Sequence, residues 1–189
     1  MNDAWYYSLF RYARPAAPGW NLAKTLGQIA AFWLLFLVVI PSALVALEQT
    51  WGVTPFAFPT ALAWIVLLLA SGLGLLSGIT MALQGEGTPL PLDAPHHLVV
   101  QGPYRHVRNP MAVAGLTQGT CVACLLGSWL SLGLVAVGFV VWNHGVRPIE
   151  ERELEARYGA PYLRYRSAVR CWIPRIRGYR VSEDAGAKP

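Results

Sequence analysis

The sequence predicts an all-α fold: a multi-pass membrane bundle of about four transmembrane helices, with a loop and a C-terminal helical tail gathered on one side of the bilayer. Three observations predict it. Hydrophobic residues make up 54% of the 189 residues and charged ones only 13%, about half the charged share of a soluble domain. The apolar residues fall into uncharged runs long enough to cross a bilayer. And the fifteen Lys and Arg are segregated between those runs. A soluble domain of this size could not cover so much apolar surface, so the whole chain, residues 1–189, reads as one integral membrane domain. The net charge of +5 would suggest nucleic acid in a soluble protein, but here the position of the charges carries more than their sum, and no nucleic-acid partner is expected.

The first span is expected over Thr25–Leu47, 23 residues without a charge, where about 20 suffice. Pro41 is a candidate kink, tolerated in a membrane helix. Arg11, Arg14 and Lys24 ahead of it would also suit a signal peptide. Signal h-regions are shorter, though, about 7–15 residues, and no clean small-x-small cleavage site follows, so the run is read as a retained span. The second uncharged run lies between Glu48 and Glu86. Its helix is expected over Phe58–Leu83, after the turn marked by Pro55 and Pro59, with Gly72, Gly74 and Gly78 allowing close helix contact. The third run, Asn109–Val146, has 38 uncharged residues. As one helix it would extend about 57 Å against a hydrocarbon core of about 30 Å, so it must fold back, with Gly127-Ser128 as the hinge.

Charge placement gives the orientation. Arg11, Arg14 and Lys24 precede span one, Arg105 and Arg108 lie between spans two and three, and the other ten cations run from Arg147 to Lys188. The loop after Glu48 and the Gly127 hinge carry none. Four spans put all fifteen on one side, which the positive-inside rule makes cytoplasmic. Both termini and the loop from Gln84 to Arg108 are therefore expected in the cytoplasm, and a bacterial inner membrane is the expected location.

The loop QGEGTPLPLDAPHHLVVQGPYRHVRNP, Gln84–Pro110, has four prolines besides the terminal one and cannot be one helix. Gly85 and Gly87 let backbone approach a ligand closely, although a helix C-cap explains Gly85 equally well. Adjacent His96 and His97 point apart on an extended segment and find no third ligand in the sequence, so no metal is expected; one facing a ligand and the other solvent fits better. Arg105, His106 and Arg108 suit lipid phosphates at a membrane collar, but Gly102-Pro103-Tyr104 and Asn109-Pro110 between them prescribe a particular backbone path. Cys121 and Cys124 lack the flanking ligands of a zinc site and read as small packing residues.

In the tail, HGVRPIEERELEARYGAPYLRYRSAVRCWIPR, a helix is expected over Pro148–Tyr158, with Gly159 as its stop. Arg147, Glu150 and Glu151 share a face if the fourth span continues through them. An arginine and two carboxylates at a membrane exit suit a polar ligand bearing both signs of charge. Glu153 and Arg157 read as an ordinary i, i+4 surface pair. Tyr158, Tyr162, Tyr165 and Trp172 among arginines read as an amphipathic segment lying on the membrane surface.

Taken in order, GEGTPLP, HHLVVQGPYRHVRNPM, a helical hairpin and EERELEARYGAPYLRYRSAVRCWIPR resemble the isoprenylcysteine carboxyl methyltransferase and phospholipid methyltransferase superfamily. The resemblance covers about the C-terminal 110 residues, with its core over 84–175, and leaves the first span outside. It implies S-adenosylmethionine as cofactor, with S-adenosylhomocysteine as product, in a cytoplasmic pocket roofed by the loop and tail. Gly85 and Gly87 match the family's G-x-G element; His96, His97, Leu98 and Val99 match a cofactor-lining segment. Tyr104 matches the G-x-Y tyrosine, and Asn109 with Pro110 an R-[HN]-P element that contacts the cofactor. Glu150 and Glu151 match paired glutamates, and Arg147 an arginine that positions substrate. The chemistry of the cofactor carboxylate adds Arg105, His106 and Arg108 to the cofactor-binding set. Asn109 stands where many members have His, and Ala112 where they have Tyr.

The expected activity is methyl transfer to a lipophilic acceptor entering from the bilayer. The tail's Y-x-x-Y and I-P-R pattern leans toward a carboxylate, as in isoprenylcysteine O-methylation; N-methylation of a phospholipid amine is the alternative. A reading of another class is a non-enzymatic scaffold whose basic tail binds anionic lipid. A transporter is disfavoured because no span carries an internal charge.

Overall fold

Apolar helices in lipid face their large side chains outward and their small ones inward, and the chain folds by that rule. The computed structural model describes residues 16–88 and 95–180. Arg11, Arg14, Lys188 and the loop's Pro89 and Pro91 lie outside the described residues.

Helix α1 runs Pro18–Thr50, α2 Thr60–Gln84 and α4 Trp129–Tyr158, and each is long and apolar enough to cross a membrane. A shorter apolar helix, α3, spans Pro110–Leu126. At 17 residues it is about 26 Å long, just under the hydrocarbon thickness. The bundle is thus three full-length helices and one short one, close to the expected four. No strand occurs among the described residues. Short helix α5, Ala160–Ala168, follows.

Helix α1 begins two turns before the expected Thr25, with Pro18 at its first position, where the missing N–H costs nothing. It passes Pro41 without breaking, because a π-turn over Leu34–Val39 precedes the proline and spaces out the hydrogen bonds it cannot make. Phe32, Leu34, Phe36 and Val39 of α1, Trp64, Leu68 and Leu69 of α2, and Val137, Val140 and Val141 of α4 face outward as the bilayer belt. Inward lie Ala63, Ala70, Gly74, Ser77 and Gly78 of α2. A Cβ on Gly74 would stand 3.4 Å from that of Ala114 on α3, and Gln118 Nε2 donates to Ser71 Oγ across the same seam at 2.9 Å. Cys121 is buried and Cys124 half-buried on α3, both as free thiols.

The α3–α4 hairpin turns at Gly127, which adopts φ 63° in the left-handed region, and α4 starts with Ser128 as N-cap. A Cβ at Gly127 would lie 2.5 Å from the carbonyl oxygen of Phe56, so glycine is required twice over. Phe56 N–H donates to Gly127 O, and buried Glu48 accepts from Leu130 N–H at 2.7 Å. The end of α1, the loop after it and the hairpin turn therefore meet at one end of the bundle. That end carries no described Lys or Arg beyond the helices; the described cations gather at the other.

Candidate functional site

At the charged end, α2 stops at Gly85 because the chain must double back across it. A Cβ there would stand 2.7 Å from Pro95 Cβ and 2.8 Å from the Met81 carbonyl. Gly85 O accepts from His96 N–H at 2.7 Å. Glu86 takes a left-handed φ of 57°, and Gly87 and Thr88 are buried. His97 points to solvent with Nε2 3.9 Å from Glu86, while His96 is half-buried, the division expected from their alternation. Next, Leu98 and Val100 pack on the tail cluster of Tyr162, Tyr165 and Val169. Val99 turns the other way and meets Gly85.

The chain then forms a strap, a 3-10 turn over Gly102–Arg105 followed by residues 106–109. Gly102 has φ +54°, and a Cβ there would meet Thr80 Oγ1 at 2.9 Å. That conformation turns Tyr104 inward, where it is buried with its hydroxyl 4.0 Å from Met81 Sδ. Burial, then Tyr165 and Glu150, hold its phenol well above the ordinary range, so it stays a donor. Asn109 N-caps α3, its Oδ1 accepting from Ala112 N–H at 3.0 Å, with Pro110 at the first helical position.

The strap is stitched to the tail. Arg108 N–H donates to Arg170 O, Arg175 N–H to His106 O, and Tyr179 N–H to Arg105 O. Side chains add to this: Arg105 Nε donates to Tyr179 O and His106 Nδ1 to Arg175 O. Arg105 and His106 therefore face the tail and line an open apolar groove of about 520 Å³ with Leu73, Leu76, Val113 and Pro174.

Beneath the strap lies a cluster of mixed charge. Helix α4 does continue unbroken past Val146 to Tyr158, so Arg147, Glu150 and Glu151 emerge on one face. Arg108 Nη1 stands 3.0 Å from Glu151 Oε1 and donates to Tyr162 Oη at 3.3 Å. The ion pair is close but not aligned as a hydrogen bond, and buried Glu151 Oε1 and Arg108 Nε find no hydrogen-bond partner among the described residues. Glu150 is half-buried near Tyr104 and makes no hydrogen bond or ion pair among the described residues. Arg147 donates through Nε to Asn143 O at 3.3 Å and acts electrostatically on Cys171. Burial pushes the Cys171 thiol up, against the pull of Arg108 and Arg147.

The sequence profile of the phospholipid methyltransferase family matches residues 60–161, from the first residue of α2 to the start of α5. The chain belongs to the phospholipid methyltransferase family. None of the curated proteins matches the chain. The family match agrees with the superfamily resemblance read from the sequence, and it leaves α1 and most of the tail outside.

Two readings of the tail need correction. Glu153 and Arg157 are not a surface pair. They stand 2.6 Å apart with side chains only 11% and 7% exposed, because Arg157 and Tyr158 reach across to the carbonyl of Pro95. Nor do the tail aromatics lie flat on a membrane. Tyr162 and Tyr165 form a small core of their own, Tyr165 Oη donates to Tyr104 O at 2.6 Å, and Trp172 Nε1 donates to Asn143 Oδ1 while its ring packs on Phe139. Met81, Tyr162 and Tyr165 at the site went unmarked as site residues. Tyr162 and Arg108 are 54 residues apart, and no local spacing announces such a contact.

Proposed function

We propose that this chain transfers a methyl group from S-adenosylmethionine to a lipid acceptor resident in the membrane, in the pocket bounded by Gly85–Gly87, Val99, the strap and the α4 glutamates. One observation carries the reading: a half-buried cluster of both charge signs in which buried polar atoms are left over. Arg108 Nε and Glu151 Oε1 are buried without a hydrogen-bond partner among the described residues, and unfilled buried polar groups are costly; half-buried Glu150 stands beside them. The cofactor has a carboxylate for Arg108 and cationic groups for Glu150 and Glu151, so donor set and ligand agree in sign. Backbone at Gly85 and Gly87, with His96 and Val99, supplies the remaining wall, while His97 faces solvent and Leu98 packs on the tail. The strap, with Arg105 and His106 tied to the tail and Asn109-Pro110 starting α3, holds that wall in place.

The cofactor supplies an electrophilic methyl whose thioether leaving group needs no acid. The protein's part is positioning and exclusion of water. Tyr104 stays protonated and donates; Arg147, one turn before the glutamates on the same face of α4, orients the acceptor. Family membership favours a phospholipid amine as acceptor. An amine must shed a proton, and among the carboxylates Glu151 is held by Arg108, which leaves Glu150 to take it. A carboxylate acceptor, which needs no base, is the second reading and rests on Arg147. The proposed orientation has the charged end facing the cytoplasm, which the segregation of Lys and Arg supports.

The test is calorimetric titration of S-adenosylhomocysteine into the detergent-purified protein. Micromolar binding is expected, weakened at least about tenfold in Glu150→Ala, the worth of a hydrogen bond to a charged group. No binding by folded wild type would overturn the reading and leave a lipid-binding scaffold.

A further inference from the structure

Helix α1 lies outside the family match, yet it presents polar groups to the same end of the bundle. Asn21, Thr25 and Gln28 recur one helical turn apart on the face turned to α2. Asn21 is 1% exposed and Thr25 0%. Asn21 Oδ1, Thr25 Oγ1 and Gln28 Oε1 are all buried without a hydrogen-bond partner among the described residues. Thr25 is unusual in its own fold. Ser77, Thr80, Thr117 and Thr120 each return their hydroxyl proton to the carbonyl one turn back, the ordinary solution for a hydroxyl inside a membrane helix. Thr25 does not; its methyl packs toward Gly78, where a Cβ would approach it to 3.1 Å.

The row borders the site already described. Gln28 Nε2 donates to Thr88 Oγ1 at 3.2 Å, directly after the Gly85–Gly87 turn. Gly78, under Thr25, is also approached by Met111 Cε, and Met81, on the next turn of α2, touches Tyr104. We propose that Asn21, Thr25 and Gln28 form a seat for the head group of the lipid acceptor, one that offers N–H or O–H donors. This rests on the lipid-acceptor reading above. The cofactor is common to the family and is expected to be held by the common part, whereas a helix outside it suits the recognition of the acceptor. The two orphaned amide oxygens, of Asn21 and Gln28, only accept and so favour a donor-bearing group over a carboxylate, while the Thr25 hydroxyl can accept as well as donate. Exposed Trp20 and Leu26 flank the row with apolar surface for acyl chains.

The test is native mass spectrometry of the whole protein released from nanodiscs holding equal amounts of phosphatidylethanolamine and phosphatidylcholine. These head groups share the phosphodiester and differ in N–H donors. The wild type should retain phosphatidylethanolamine about fivefold over phosphatidylcholine, roughly one net hydrogen bond. The preference should vanish in Asn21→Leu/Thr25→Val/Gln28→Leu and shrink in the near-isosteric Thr25→Val, which guards against misfolding of the triple variant. S-adenosylhomocysteine affinity should be unchanged in both. A wild type without preference, or a preference that survives in folded variants, would overturn the seat and leave a water-filled seam. Variants that lose S-adenosylhomocysteine affinity instead would assign the row to the cofactor. If wild type binds no S-adenosylhomocysteine yet keeps the lipid preference, the methyl-transfer reading fails and the seat stands.

Discussion

Gly102 shows what a single residue decides. Its φ of +54° turns the strap so that Tyr104 enters the bundle, and a Cβ would press on Thr80. Gly102→Ala should lower stability by about 1–2 kcal/mol from the backbone alone, read as a drop in melting temperature in detergent, and should weaken cofactor binding because Tyr104 is displaced. Tyr104→Phe separates the two effects. The ring remains and the melting temperature should hold, while S-adenosylhomocysteine affinity falls about fivefold with the loss of one donor. Unchanged affinity would remove the Tyr104 hydroxyl from the site. The sequence made Tyr104 legible through its G-P-Y-R setting. It did not mark Met81, whose only distinction is where α2 ends.

At the scale of elements, α1 and α4 are joined by a cap supplied from outside. Buried Glu48 accepts the Leu130 N–H at the start of α4, a carboxylate at the positive end of a helix. Glu48→Ala should cost about 1–2 kcal/mol, as a lost N-cap does, and thermal unfolding in detergent reads it. Little change would mean Ser128 caps α4 unaided. The strap and α5 give a pH signature. Burial raises the phenols of Tyr104, Tyr162 and Tyr165, with Tyr162 pushed up to about 12. Above the ordinary phenol range near 10, the unfolded chain sheds protons that the folded one keeps, so stability falls with rising pH there. Melting temperature should decline steeply between about pH 10 and 11, less so in Tyr162→Phe. α5 was not foreseen as a packing element, because its mixture of tyrosine and arginine reads equally as a surface segment until Leu98 and Val100 arrive to cover it.

Across the whole molecule, the segment after Ala168 ties the strap through three backbone hydrogen bonds and the side chains of Arg105 and His106, in addition to the bonds that Tyr162 and Tyr165 of α5 make to it. Ending the chain after Ala168 should leave the helices intact by circular dichroism. Amide exchange at Arg108 should then accelerate, since its partner is Arg170 O, and S-adenosylhomocysteine binding should be lost. Retained binding would show that the strap is self-supporting.

Periodicity, charge segregation and glycine placement are local or one-dimensional properties, so the sequence alone determined the apolar helices, the fold-back at Gly127-Ser128, the charged end, and the family through ordered motifs. Which polar atoms meet was a matter of three dimensions. Arg108 finds Glu151 and Tyr162 only after the strap has crossed α2, and Glu153 with Arg157 is buried only because the loop returns to cover it. The orphaned row on α1 was invisible for the same reason. A buried oxygen without a partner is a property of everything packed around it, and no stretch of chain contains that.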